Sequence, residues 1–107
     1  MNNLARRRCR PLAAGEGLSA EEIVRHLALL PGWALRDGAL ERRFDFPDFH
    51  RTMAFVNALA WVAHVEDHHP DVALGYGQCT VRWHTHSVGG ISINDFICAA
   101  KVDALLP

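Results

Sequence analysis

At 107 residues, half of them hydrophobic, the chain has the size and composition of one globular domain with a single core. Its 11 basic and 12 acidic residues leave a formal charge of -1, which gives no electrostatic reason to expect nucleic acid or an acidic membrane as a partner. No apolar run approaches the roughly 20 residues that span a bilayer, so the expected location is the cytoplasm.

Three cysteines, Cys9, Cys79 and Cys98, lie far apart in sequence and form no Cys-x-x-Cys pair. That argues against a disulfide framework or a zinc ribbon and for a reducing compartment. Residues 1–17 carry Arg6, Arg7, Arg8 and Arg10 with Pro11, Gly15 and Gly17, and show no sustained periodicity. They read as a flexible lead-in to a domain over 18–107. No apolar stretch follows the arginines, as a secretory signal would require; an organelle presequence is the other reading of those charges.

Ser19 with Glu22 forms a capping-box pattern that opens a short helix, with Ile23, Leu27 and Leu30 on one face and Pro31-Gly32 at its end. A strand begins at Trp33, and Asp37-Gly38 is a hairpin turn into a second strand, Leu40 to Phe46. There Leu40, Phe44 and Phe46 face one way and Glu41, Arg43 and Asp45 the other, with Arg42 interrupting the apolar side. Pro47 suits the first turn of a helix expected from Asp48 to Asp67. Phe49, Met53, Val56, Ala60 and Ala63 define its predicted core face. Phe55, Leu59 and Val62 widen that face, and Trp61 sits further round. So broad an apolar surface fits either a wide core stripe or a second partner, and the Phe55/Trp61 side is where self-association would bury it.

Pro70 disfavours helical geometry at His69 and ends the helix. A strand follows from Val72 to Tyr76, then a turn at Gly77. In the fourth strand Cys79, Val81 and Trp83 alternate with Thr80, Arg82, His84 and His86. One packed face and one wet face imply a sheet covered on a single side. After Gly89-Gly90, Ser92 with Asp95 caps a last helix carrying Phe96, Ile97, Ala100 and Leu105. The predicted fold is α+β: a two-layer sandwich of a four-stranded antiparallel sheet with helices packed on one face, in the order α-β-β-α-β-β-α.

Five of the seven histidines fall between residues 64 and 86, beside Glu66, Asp67 and Asp71. Histidine exchanges a proton near neutrality, so chemistry is sought here first. His64 and His68 are one helical turn apart, and His69 lies in the last turn, where the helix dipole favours positive charge. Glu66 and Asp67 are poorly placed for that dipole and would gain by orienting neighbouring imidazoles. Three readings stand together at this point. One is acid–base catalysis by free histidines. Another is a metal held by His64, His68 and His86, although no His-Glu-x-x-His motif is present. The third is a set of solvated or core histidines. No Gly-x-Ser-x-Gly elbow supports a serine hydrolase, and no glycine loop precedes a helix as a phosphate site would need.

These same residues resemble the pterin-4a-carbinolamine dehydratase family. The family's spaced signature is matched by His64, His68-His69-Pro70, Tyr76, His86 and Asp95. Gly32-Trp33, Arg43-Phe44-Asp45-Phe46 with Phe49, Thr85-His86 and Gly89-Gly90 support it, and the likeness covers about residues 18–106. The resemblance implies dehydration of 4a-hydroxytetrahydropterin to quinonoid dihydropterin, with the pterin as substrate and neither metal nor organic cofactor. It implies His68, His69 and His86 as the catalytic set, with His69 polarising near the hydroxyl. Asp95 is expected to orient His86 or cap its helix, and Trp33 to line the pocket or fill the core. His64, Asp67 and Pro70 complete the binding and orienting group. His64 stands where the family often has a carboxylate. A homodimer or homotetramer and a link to an aromatic amino acid hydroxylase are implied as well. The alternative is a dehydratase-like binding protein, either a transcriptional dimerisation cofactor or an assembly factor for a carbon-fixing enzyme, which would have no need of the histidines.

Overall fold

Asp37 (φ 47°) and Gly38 (φ 79°) both adopt left-handed backbone, the conformation that a two-residue hairpin turn requires at both positions. They join β1 (Ala34–Arg36) to β2 (Ala39–Asp45) with Arg36 opposite Ala39. The computed structural model describes residues 3–106 and adds α1 (Ala20–Leu27), α2 (Phe49–Glu66), β3 (Asp71–Leu74), β4 (Gln78–Trp83) and α3 (Ile93–Asp103). The strands form one antiparallel sheet in the order β1-β2-β4-β3, so the element order and fold class match those predicted.

The alternation in β2 and β4 decides which face is covered. Leu40, Phe44, Cys79, Val81 and Trp83 are all buried under the helices. Arg42 shares that side without being stranded. Its guanidinium lies 4.5 Å from the centre of the Phe44 ring and donates to Asp103 Oδ1 at 2.7 Å. Both predicted capping boxes form, Ser19 with Glu22 and Ser92 with Asp95.

Helix α2 turns a different face to the core from the one its apolar spacing predicts. Thr52, Phe55, Leu59, Ala63 and Glu66 are buried, whereas Phe49 is 47% exposed and Ala60 lies on the surface. The reason is that two polar residues on the inner face are satisfied. Thr52 Oγ1 lies 2.9 Å from the carbonyl oxygens of Asp48 and Tyr76, and Glu66 Oε1 accepts from Cys9 N at 2.8 Å. Counting hydrophobic side chains misses such positions, because a hydrogen-bonded polar group can be buried at little cost. Phe55 is therefore a core residue, and Trp61 (65% exposed) is the one left on the outer surface. Asp48 is the N-cap of the helix, its side chain accepting from Arg51 N at 2.8 Å, so Pro47 precedes the first turn instead of lying in it.

Where composition suggests a flexible lead-in, residues 3–17 run packed across α2 and α3. Leu4 is buried in the core cluster, Lys101 Nζ donates to Ala5 O at 2.9 Å, and Leu12 is 9% exposed. This cover explains why α3 is buried along nearly its whole length, from Asn94 to Ala100. It also brings two cysteines distant in sequence together, with Cys9 Sγ 3.5 Å from Cys98 Sγ; all three cysteines are free thiols. Contact with Cys9 and burial push the Cys98 thiol well above its ordinary range.

Glu66 is the anchor of that segment. Burial raises its pKa, but the Cys9 N–H and the charges of Lys101 and Arg8 together outweigh burial and hold the carboxyl below its usual value. A depressed folded-state pKa means that the stabilisation is present above the unfolded value and lost as pH falls through the folded one. Glu66→Ala is expected to cost about 1–3 kcal/mol at pH 7, because the Cys9 N–H loses its partner. Urea titrations at pH 7 and below pH 4 should show the gap between wild type and variant closing in acid.

Candidate functional site

Helix α2 ends just before His68 and His69, and the way it ends separates them. Asp67 takes left-handed backbone (φ 50°) as the C-cap of α2, a conformation that Asp tolerates better than most residues. Pro70 then disfavours helical backbone at His69, which lies outside any helix. Successive residues of an extended segment point to opposite sides. His68 and His69 accordingly enter two different concavities.

His68 lines a pocket of about 310 Å³ with Asp67, Glu66 and Val65 from the end of α2, with Thr85, Ser87 and Asn94, and with residues 9–12 of the N-terminal segment. Its ring stacks on Trp83, centroids 5.3 Å apart and planes 19° apart. Its Nε2 lies 2.6 Å from Asp95 Oδ1, and the Asp95 side chain is wholly buried. The other carboxylate oxygen accepts from Thr85 Oγ1 at 2.7 Å and from Ser92 N at 2.9 Å. Thr85 Oγ1 is also 2.6 Å from Ser92 Oγ. With Nε2 donating to Asp95, the lone pair of neutral His68 sits on Nδ1, the arrangement of a base oriented by a fixed carboxylate.

Asp95 therefore holds His68, where pairing with His86 was the expectation, and it caps α3 with the same side chain. The register explains this. β4 stops at Trp83, so His84 and His86 do not share a strand face. Thr85 is buried against Asp95, and His86 opens a 3-10 turn, His86–Val88, at the surface. His86 thus sits between Thr85 and Ser87, both of which line the His68 pocket. His84 faces the sheet edge instead, with Nε2 3.4 Å from Asp71 Oδ2.

His69 lines a second, more open groove of about 380 Å³ with His64, Pro70, Val72 and apolar residues of α2. His64 is on the surface, its ring 5.3 Å from that of Trp61. Trp33 belongs to neither cavity. It is 5% exposed, packs edge-on against Phe44, and donates from Nε1 to Asp103 Oδ1 at 2.9 Å, so it is a core residue. Among the described residues no cluster of three or more His, Cys, Asp or Glu side chains could hold a metal ion, and no helix is long and apolar enough to cross a membrane.

Thr85, Ser87, Asn94 and residues 9–12 are pocket residues that sequence reasoning did not single out as such. Thr85 was legible as the neighbour of His86. For residues 9–12 the sequence carried no signal beyond charge and a proline.

The family model described as pterin 4 alpha carbinolamine dehydratase matches residues 16–105. A Nitrosomonas eutropha protein, provisionally named a pterin-4-alpha-carbinolamine dehydratase, is 52% identical over 106 residues, covering 97% of this chain and 94% of its own. A Stenotrophomonas maltophilia protein with the same provisional name is also 52% identical, over 105 residues, covering 95% of this chain and 90% of its own. The crystal structure of a transcriptional coactivator/pterin dehydratase from Brucella melitensis superposes with a TM-score of 0.81 at 32% identity, covering 85% of this chain and 99% of that one. A pterin dehydratase-like protein identified as a RuBisCO assembly factor in the alpha-carboxysome gives 0.57 at 27% identity, covering 68% and 84%. With its sheet order, its His-His-Pro turn and a match across nearly its full length, the chain belongs to the pterin-4-alpha-carbinolamine dehydratase family.

Proposed function

We propose that the chain is a hydro-lyase that converts 4a-hydroxytetrahydropterin to quinonoid dihydropterin by histidine acid–base chemistry. The observation that carries this reading is His68, stacked on Trp83 and held by the buried carboxylate of Asp95 at the wall of a pocket. A histidine needing only solvation has no use for a dedicated buried acceptor. The reaction breaks the C4a–O bond: the hydroxyl takes up a proton and leaves as water, while the ring nitrogen N5 gives up its proton. No net proton is consumed, so a base and an acid exchanging roles suffice. In this scheme His68 Nδ1 accepts the proton and His86 on the adjoining turn supplies the other; His69 lines the second groove across the turn, and its variant measures what it contributes. The reaction draws on no metal or organic cofactor. It would return the pterin used by aromatic amino acid hydroxylases, in the cytoplasm.

A second reading, a protein-binding role, is favoured by the exposed outer face of α2, where Trp61 and Val65 are 65% and 41% exposed. The coactivator/pterin dehydratase and the assembly factor that the chain resembles in fold favour it as well. Self-association into a dimer or tetramer through that face is compatible with either reading.

The test is the initial rate of dehydration of 4a-hydroxytetrahydropterin generated in situ. Wild type is compared with His68→Ala, His69→Ala and His86→Ala, with and without a chelator. His68→Ala should be slower by about 10²–10⁴-fold, and chelation should leave the wild type unchanged. A wild type no faster than the spontaneous reaction would overturn the enzyme reading and leave the binding one.

A further inference from the structure

The pocket around His68 has one wall that the family model does not include. The matched stretch begins at residue 16, whereas Cys9, Arg10, Pro11 and Leu12 line the pocket together with His68, Thr85 and Ser87. This wall is built to stay in place. Cys9 N donates to the buried Glu66 carboxylate at 2.8 Å. Asn94 grips Arg10 from both sides of its peptide: Asn94 Oδ1 accepts from Arg10 N at 3.3 Å, and Asn94 Nδ2 donates to Arg10 O at 2.7 Å. Leu12 is buried, and further along Leu18 N donates to Ile91 O at 2.8 Å. The backbone is thus pinned before, within and after the crossing, and a pinned wall can discriminate by shape where a mobile one cannot.

We infer that residues 9–12 are the specificity wall of the site, and that Arg10 recognises the polar substituent at C6 of the pterin. The inference rests on the dehydratase reading above. It follows from position and chemistry. For catalysis the reacting C4a region must lie within hydrogen-bond reach of His68. A planar bicyclic substrate placed there extends from His68 to the other residues of the lining, 9–12 among them. Residues 9–12 bring apolar Pro11 and Leu12 and the cationic residue Arg10 to the lining. The Arg10 side chain is 64% exposed and paired with Glu16, Nη1 to Oε2 at 3.0 Å. A guanidinium has five N–H donors, so one carboxylate leaves others free for hydroxyl groups on a substituent. Asn94 acts as the positioning residue, because it fixes the peptide from which Arg10 projects.

The experiment measures kcat and KM of the full chain and of Arg10→Ala with two substrates, 4a-hydroxytetrahydrobiopterin and its 6-methyl analogue. Both proteins are also titrated calorimetrically with biopterin and 6-methylpterin, which do not react. The expected result is a selectivity for the dihydroxypropyl over the methyl substituent that falls about tenfold in Arg10→Ala, the scale of one charge-assisted hydrogen bond. The loss should lie in KM and in the binding constant more than in kcat. Turnover by both proteins with the same substituent selectivity would overturn the specificity wall and leave the dehydratase reading standing. Absence of turnover with selective binding that Arg10→Ala abolishes would support the wall and sink the catalytic reading. Absence of both turnover and binding would overturn the two together.

Discussion

Asp95→Ala is expected to remove most of the activity and to cost about 2–4 kcal/mol of stability, because one buried carboxylate serves three donors and a helix cap. Its oxygens accept from His68 Nε2, Thr85 Oγ1 and Ser92 N, all within 2.9 Å. Alanine leaves each of them without its acceptor in a site that excludes water. His68 would lose its fixed tautomer and orientation, and with His68 as the base proposed above the rate should fall by about two to three orders of magnitude. Asp95→Asn separates the two effects. The amide keeps the volume and can accept from Ser92 N with its oxygen, so most of the stability should return. It can hold His68 only by donating to it or accepting from it as a neutral group, so the rate should stay low. Urea unfolding paired with dehydration rates distinguishes these outcomes. Equal recovery of stability and rate in Asp95→Asn would show that the carboxylate acts on the fold alone.

Trp83→Ala should be the most damaging single truncation of the core, at about 3–5 kcal/mol, the cost of emptying a buried aromatic site. Trp83 is fully buried at the end of β4, opposite Leu40 of β2, and forms the platform on which His68 stacks. Against a total stability of about 5–15 kcal/mol, such a loss brings a domain of this size close to unfolding. Trp83→Phe should cost much less, under about 1.5 kcal/mol. The indole N–H of Trp83 has no hydrogen-bond partner among the described residues, and phenylalanine removes that buried donor while keeping an aromatic face for His68. Denaturant midpoints of the two variants test the difference. A Trp83→Phe variant as unstable as Trp83→Ala would mean that the indole's full volume, not its ring face, holds the sheet end together.

What could be read from the sequence alone was whatever depends on neighbours a few positions away. The hairpin at Asp37-Gly38, the capping boxes at Ser19 and Ser92, the helix stop before Pro70 and the alternation of Cys79, Val81 and Trp83 are local. Each follows from backbone preference or a short period, and together they specify the α+β order. The spacing of His64, His68-His69-Pro70, Tyr76, His86 and Asp95 likewise carried the family from the sequence. The tertiary structure decided everything that depends on which distant atom satisfies a polar group. The buried face of α2 rotated because Thr52 finds the Asp48 and Tyr76 carbonyl oxygens, and Glu66 finds Cys9, Arg8 and Lys101. Asp95 chose His68 over His86 because β4 ends at Trp83 and turns His86 outward. The arginine-rich N-terminal segment became a wall of the pocket through bonds to residues more than 50 positions away. Periodicity cannot register such pairings, since burying a charge or an amide is unfavourable until its partner is in place, and only the folded chain supplies the partner.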